Sequence, residues 1–469
     1  MRKFLPFILL LLAAFFSKTK AQTPDYCGTE LSETQKNWLL DYAQNGRGFA
    51  SKSAVQYYVP LYMHILGDDA DKGFYGANQL MSDICELNTQ YASVGFYFYL
   101  AGFDYISNTA WYDHATYGPG STMMRQNNKN NVANIYIVAN PAGNCGYFSP
   151  GQDGIALGKN CMGKGSTTFA HELGHFFSLP HPFTNVTGVK EYVNGSNCAI
   201  AGDLFCDTRA DFLDYRWPCP YTGSEKDPLG QVYNPDETLY MGYALDKCAN
   251  RFSLEQIDAV VYNINSQRTN LQGPLQDTMP VQTKMTRLLP LEGVAQKPTN
   301  ATFSWKSVPN AVGYVLQASQ ISVFPGNLPL DIITPDTFYV ATKLSDSRTY
   351  RWRVRPVYAG QTCTEFSDTG AFYTSVTASV KTFGAGNSAV KLYPNPANNS
   401  QEVFIAFEND QIVTQANIYT VDGKMISAAT LEQQSNTMYK MNISALKAGV
   451  YFVDITTETA AYRQKLLVE

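Results

Sequence analysis

The stretch HELGHFFSLPH, residues 171 to 181, holds three of the five histidines in a chain of 469 residues. That clustering constrains local structure before any other feature does. On an α-helix His171 and His175 sit one turn apart on one face, so their imidazoles can converge on one cation. Glu172 lies about 100° further round. It need not be a ligand, yet it is near enough to hold and deprotonate a metal-bound water. A helix from Ser166 to Leu179 is expected, capped by Ser166 or Thr167, with Phe169, Leu173, Phe176 and Phe177 facing a core. Pro180 and Pro182 do not continue a helix, so a turn can swing His181 back as a third ligand. Three neutral imidazoles leave one tetrahedral position open, as in catalytic rather than structural zinc sites. The long pattern H-E-x-x-H-x-x-G-x-x-H has glycine where this chain has Ser178. Glycine there allows a sharp turn, and serine tolerates it at a strain on the order of 1 kcal/mol.

The chain is too long for one compact core, so two to four domains are expected. Charged residues make up 16% with a formal net charge of -5. Basic residues do not cluster, which argues against nucleic acid as the main partner. Basic Met1-Arg2-Lys3, an apolar run from Phe4 to Phe16 and a polar stretch ending at Ala21 read as a signal peptide over residues 1–21. That run is too short to span a bilayer, and no transmembrane anchor is expected in the mature form. Export makes pairing of most of the nine cysteines the expectation, with at least one left over. Cys198, Cys206, Cys219 and Cys248 are placed to staple the loops after the histidines. Cys27, in Tyr26-Cys27-Gly28-Thr29, falls in an N-terminal pro-segment over 22–50. Two readings of it stay open: a disulfide to Cys85 or another partner, or a thiolate on the fourth position of the histidine site. The second is a cysteine switch that keeps the precursor silent until residues 22 to roughly 50 are removed. Little else in this short segment is read as docking it.

Hydrophobic periodicity places strands at Tyr57 to Leu66, at Val94 to Leu100 and at Val132 to Val138, with a short edge strand over Gly154–Gly158. Helices are expected over Ala77 to Ala92 and from Leu254 to about Asn270, the latter opened by a Ser253/Gln256 capping box. Pro182 to Tyr240 reads as loop. After Gly273 short alternating strands replace this mixture, and Gly384 to Ser388 reads as a linker.

Leu239-Tyr240-Met241-Gly242-Tyr243 fits a turn carrying a methionine beneath a metal. Together with Cys248, the helix opening at Phe252-Ser253, and Gly202-Asp203-Leu204-Phe205-Cys206-Asp207-Thr208, it makes roughly residues 55 to 272 resemble the pappalysin (cytophagalysin-like) family of metzincin zinc metallopeptidases. The resemblance implies that His171, His175 and His181 bind one catalytic Zn2+, that Glu172 is general base and acid, and that the Tyr243 phenol stabilises an oxyanion. It places Met241 in the Met-turn and suggests structural Ca2+ in loops where Asp203 and Asp207 could serve. The implied fold class is α+β: a mixed twisted sheet with the zinc-site helix and a C-terminal helix over 51–275, followed by β-sandwich modules. Residues 283–378 resemble a fibronectin type III module through Trp305, Tyr314, Tyr350 and Trp352, and 379–388 form a linker. Residues 389–469 resemble a type A sorting domain of the type IX secretion system. The matching stretches are Leu392-Tyr393-Pro394-Asn395-Pro396, Val421-Asp422-Gly423-Lys424, Ala448-Gly449-Val450-Tyr451 and the ending Lys465-Leu466-Leu467-Val468-Glu469. That implies secretion machinery as a partner, outer-membrane translocation in a Gram-negative bacterium and removal of the domain at the cell surface. The expected whole is a secreted zinc-dependent endopeptidase acting on proteins or peptides. The alternative is a surface adhesin or glycan-binding protein in which the β-sandwich modules carry the function. Glu172 and the open fourth position favour the enzyme, since binding alone needs neither.

Overall fold

The computed structural model describes residues 25–48, 56–273, 285–376, 390–398, 402–421, 424–457 and 461–469. The expected signal peptide and the linker 379–388 lie outside the described residues, as do Asp422 and Gly423. The chain divides into two compact units, one of residues 1–287, 305–337 and 352–369, the other of 288–304, 338–351 and 370–469.

The first unit runs β1 (Asp25–Cys27), α1 (Glu33–Asp41), β2 (Tyr57–Gly67), α2 (Ala77–Gln90), β3 (Phe96–Ser107), α3 (Thr109–Tyr112), β4 (Asp113–His114), α4 (Tyr117–Asn127), β5 (Ala133–Val138), β6 (Asn140–Pro141), β7 (Asn144–Ser149), β8 (Gly154–Gly158), α5 (Thr168–Phe176) and α6 (Leu254–Ser266). Six strands form one sheet in the order β1-β7-β8-β5-β2-β3. Only the β7–β8 pairing is antiparallel. Its inner strands are apolar on both faces, as a mostly parallel sheet under cover requires: all of β5 is buried, and nearly all of β2. The short strand expected at an edge, β8, lies inside the sheet between β7 and β5. Its GIALG sequence is buried at every position, which an edge strand does not need. The strand expected from Val94 starts at Phe96, because Val94 closes a 3-10 turn that Gly95 ends at φ 77°.

No helix or extended strand interrupts 182–240. Disulfides Cys198–Cys206 and Cys219–Cys248 tie that loop region, and Cys145–Cys161 closes the turn beyond β8. The capping box of α6 forms as its sequence requires, Ser253 and Gln256 exchanging side-chain and backbone bonds. In the same unit Cys85 of α2 is bonded to Cys363, and Asp331 accepts from the Asn78 backbone N–H in the first turn of α2.

The strands expected as one fibronectin-like module are shared between the two units. They are β9 (Arg287–Leu289), β10 (Ala295–Gln296), β11 (Ala301–Trp305), β12 (Ala311–Ser319), β13 (Leu330–Thr334), β14 (Phe338–Ala341), β15 (Thr349–Tyr358) and β16 (Gly370–Thr374). In the second unit, β17 (Val390–Tyr393), β18 (Glu402–Phe407), β19 (Val413–Thr420), β20 (Met425–Ala428), β21 (Leu431–Ser435), β22 (Met438–Asn442), β23 (Gly449–Thr457) and β24 (Ala461–Val468) form two antiparallel four-stranded sheets, β17-β18-β22-β21 and β20-β19-β23-β24. Alternate residues, including Val403, Ile405, Ile418, Val453, Ile455 and Leu466, fill the core between them.

Candidate metal centre

α5 is buried along its whole length, packed against β7, β8 and α2. It ends at Phe176 in a Schellman arrangement. Leu179 N–H donates to the Gly174 carbonyl at 2.9 Å and Ser178 N–H to that of His175 at 2.9 Å, with Ser178 at φ 68°. That left-handed position is the one glycine usually fills. Here the Ser178 hydroxyl accepts from Asn263 Nδ2 at 3.2 Å, a tertiary bond that glycine could not make. The turn brings His181 back toward the helix.

The three Nε2 atoms lie 3.1 Å (His171–His175), 2.9 Å (His175–His181) and 3.2 Å (His171–His181) apart. His171 Nδ1 faces the Tyr240 carbonyl at 2.7 Å and His175 Nδ1 that of Leu179 at 2.8 Å. Carbonyls only accept, so both Nδ1 atoms carry the proton and in the neutral rings both Nε2 atoms are bare. Burial first, and then the neighbouring imidazoles, hold His171 and His181 well below the usual histidine range, while burial lowers His175 to about 4. The imidazoles are therefore neutral, and the bare Nε2 atoms of His171 and His175 converge with Nε2 of His181 on one point, where a single cation would be held by all three. Tetrahedral zinc with bonds of 2.0–2.1 Å sets nitrogens about 3.3 Å apart, so the donor set fits that ion. Cys27 Sγ completes the group: one atom from each of Cys27, His171, His175 and His181 lies within 4.8 Å of all the others.

The base position beside the cluster is equally enclosed. Glu172 is fully buried, and burial pushes its carboxyl up to about 8 against the lowering effect of bonds from Thr29 and Cys27. Its Oε2 accepts from Thr29 Oγ1 at 2.9 Å, and Thr29 Oγ1 accepts from Phe148 N–H at 2.8 Å. Glu172 Oε1 has no partner among the described residues. Two glycines make room. A Cβ on Gly146 would lie 2.8 Å from Glu172 Cγ, and one on Gly174 2.3 Å from Met241 Sδ. Met241 is thus pressed against the metal-site helix, fully buried. Tyr243 lies beside the cluster, its ring centroid 4.9 Å from that of His181 and 5.8 Å from that of His171, its hydroxyl donating to the Cys27 carbonyl at 3.2 Å. Burial, and then the nearby Cys27 and Glu172, raise that phenol far above its ordinary range.

Cys27 is the one cysteine without a disulfide among the described residues. Cys85 is bonded to Cys363, and the other six are paired among themselves. The expectation that little docks its segment is corrected. β1 pairs in parallel with the outer edge of β7, Cys27 opposite Gly146, and Gly28 N–H donates to the Gly146 carbonyl at 2.9 Å. Tyr26 is buried against His171 and Tyr243, and its hydroxyl meets Thr167 Oγ1 at 2.8 Å. Further on, Gln35 Nε2 donates to the His175 carbonyl at 3.0 Å, while Trp38, Leu39 and Tyr42 enter the main core.

Asp203 and Asp207 do not come together as a ligand pair. Asp207 caps α6, accepting from Ser253 Oγ at 2.7 Å and Glu255 N–H at 2.9 Å. Asp203 is fully buried and accepts from Thr208 Oγ1 at 3.0 Å and Phe205 N–H at 3.0 Å. Its electrostatic neighbour is buried Glu191, whose Oε2 has no partner among the described residues. Burial raises Glu191 to about 7. Asp203 stands well above the carboxylate range, mainly from burial and also from Glu191. Sequence reasoning missed Thr29, Gln35, Gly146, Gly174 and Glu191. For Thr29 a signal existed: in an extended strand residues two apart share a face, so Thr29 follows Cys27.

Residues 391–469 match the family described as secretion system C-terminal sorting domain. An extracellular metalloprotease of Arthroderma benhamiae is 27% identical over 245 residues, covering 47% of this chain and 76% of that protein. One of Arthroderma gypseum is 28% identical over 271 residues, 52% of this chain and 85% of that protein. A solved structure of mirolysin in complex with a small compound is 20% identical, covers 47% of this chain and 97% of that one, and has a TM-score of 0.36. The chain is thus similar to extracellular metalloproteases over about half its length, and residues 391–469 match a secretion sorting domain. No helix among the described residues is long and apolar enough to cross a membrane.

Proposed function

We propose that the chain is the latent form of a secreted zinc metalloendopeptidase of the pappalysin-like metzincin type, with residues 1–21 as signal peptide and 389–469 as the sorting segment. The observation that carries this reading is the convergence of three neutral imidazoles beside buried Glu172. The metalloprotease relatives support peptide substrates, and the sorting domain supports delivery through secretion machinery. His171, His175 and His181 would hold the ion with Met241 beneath. When bound, zinc supplies a Lewis acid that polarises a carbonyl and acidifies water. Glu172 takes a proton from the attacking water and passes it to the leaving amine. Tyr243 donates a hydrogen bond to the carbonyl oxygen as charge builds on it. A peptide replacing β1 on the edge of β7 would meet the same backbone donors and acceptors. In the latent form Cys27 would supply a fourth ligand to the ion while Thr29 holds the base, so one short strand would block both halves of the chemistry.

The test is Glu172→Ala. It should retain zinc through dialysis while peptide hydrolysis falls by about two to four orders of magnitude, since ligands are unchanged and the proton carrier is gone. Loss of zinc in this variant, or near-normal turnover, refutes the reading, and a converted wild-type protein without peptide hydrolysis is what an adhesin with an incidental metal would show.

A structural calcium is proposed at Asp203, Glu191 and Thr208, not at Asp203 with Asp207. Asp203 and Glu191 are both buried, Glu191 raises the Asp203 carboxyl, and Glu191 Oε2 has no partner among the described residues, a set of oxygens suited to a hard divalent cation.

A further inference from the structure

We infer that the activating cleavage falls in the stretch 30–32 and that α1, although it precedes residue 50, stays behind as part of the working enzyme. This rests on the latency reading above.

The N-terminal segment has two parts with different fates. Residues 25 to 29 are held by strand pairing to β7, by Cys27 and Thr29 at the site, and by Tyr26. Residues 33 to 48 are built into the core. Trp38, Leu39 and Tyr42 are 7%, 0% and 1% exposed and belong to the same cluster as the sheet and α5. Tyr42 Oη donates to Asp258 Oδ2 at 2.9 Å, Gly48 N–H to the same oxygen at 2.7 Å, and Arg47 pairs with Glu255 at 2.9 Å. Trp38 Nε1 donates to Ser266 Oγ. Burial of three such side chains is comparable with the whole net stability of a domain. An enzyme stripped of α1 would lose that core and the Gln35 bond to the carbonyl of its ligand His175.

Between these parts lies a stretch suited to cleavage. Residues 28–32 have no regular structure, Glu30 is exposed, and Leu31 and Ser32 are partly so. Among the described residues no backbone–backbone hydrogen bond holds Glu30 or Leu31. Hydrolysis of one bond here, consuming one water, leaves a carboxylate on the inhibitory piece and an amino group just before α1. The cut needs to remove nothing else. While the chain is intact, α1 tethers β1 at an effective concentration in the ~mM range; once cut, the strand is a separate short peptide that dilutes away.

The experiment uses the full-length chain. The precursor is allowed to convert itself, or is clipped with a glutamate-specific endopeptidase, and the product is sequenced from its N-terminus and melted. The expected N-terminus lies between Leu31 and Glu33. Trp38→Ala should lower the Tm of the converted form by about 10 °C, as it does that of the precursor. Should Trp38→Ala fail to fold, Trp38→Phe supplies a smaller shift to compare in the two forms. An N-terminus beyond Trp38, or a converted form whose Tm ignores position 38, overturns the inference. Failure of the latency reading shows separately, as no rise in peptide hydrolysis on conversion while the N-terminus and the melting shift stand.

Discussion

Thr29→Val in the uncut chain tests whether the base is clamped as well as the metal. Valine keeps the shape of threonine and removes only the hydroxyl. In the docked state that hydroxyl does two jobs, donating to Glu172 Oε2 at 2.9 Å and accepting from Phe148 N–H at 2.8 Å, at a position only 8% exposed. Without it, Phe148 N–H and Glu172 Oε2 each lose the hydrogen bond to Thr29 in a buried setting, and Glu172 Oε1 already has no partner among the described residues. When β1 lifts away, both groups return to water. The change therefore acts on the docked state alone and costs about 1–3 kcal/mol there. The undocked population should rise roughly 5- to 150-fold, since each 1.4 kcal/mol is a factor of ten.

The assay is the labelling rate of the Cys27 thiol by a maleimide in zinc-loaded precursor. Cys27 must leave the site to react, so the rate follows the opening equilibrium. Thr29→Ser, which keeps the hydroxyl, should label close to the wild-type rate. Once the segment has been clipped away, the variant should not differ from wild type in turnover. A labelling rate in Thr29→Val within about twofold of wild type would refute the clamp, because the penalty for stranding two buried polar groups cannot hide in so small a change.

Tyr243→Phe should lower kcat more than it raises KM, because the phenol acts on charge that develops after binding; a rise in KM alone makes Tyr243 a wall of the site. Ser178→Gly should be nearly neutral, relief of about 1 kcal/mol of left-handed strain offsetting the lost bond from Asn263, whereas Ser178→Ala keeps the strain and loses the bond, lowering Tm by about 2–4 °C. Calcium at millimolar concentration should raise Tm, and more at pH 8 than at pH 6. Glu191, raised to about 7 from an unfolded value near 4.3, contributes stability below that unfolded value which is lost as pH rises through about 7, and calcium replaces the proton there. An increment equal at both pH values, or abolished by neither Glu191→Gln nor Asp203→Asn, rejects the site.

The metal-site helix was legible because its information is local. Apolar residues at helical spacing, two histidines one turn apart and two prolines say where it runs and stops, although the helix ends at Phe176, short of Leu179. The α6 capping box was legible for the same reason. A similar local signal was overlooked at α1, where Ser32 and Gln35 form a full capping box. What stayed hidden is nonlocal. Nothing in GIALG says that β7 and β1 will extend the sheet beyond it, since β7 mixes Gly, Cys and Asn with its aromatics and β1 has only three residues. Glu191 sits in a loop with no period to point it anywhere, and its neighbour Asp203 lies a full loop further along the chain. The fibronectin-like strands show their alternation but not which faces pack, so their division between two compact units had no sequence signature.

The tripeptide Cys27-Gly28-Thr29 shows how much a strand can do at minimal length. Side chains at alternate positions share a face about 6.6 Å apart, so a single extended segment delivers a thiol to the histidines and a hydroxyl to Glu172 together. The residue between them faces the other way, where Tyr117 Oη and Asn144 Nδ2 would lie 2.4 and 2.5 Å from any Cβ. Gly28 is required there by contact rather than by backbone freedom, and its carbonyl accepts from Tyr117 Oη at 3.1 Å. Each of the three positions is thus determined by a different neighbour. A helix could not make this arrangement, because its residues two apart do not share a face. Lengthening the strand would strengthen its grip on β7 and slow its departure after the loop is cut. On the latency proposed above, three residues of pairing would hold it while α1 supplies the tether and too weakly once the tether is gone, which would make a short β1 and a well-buried α1 two halves of one device.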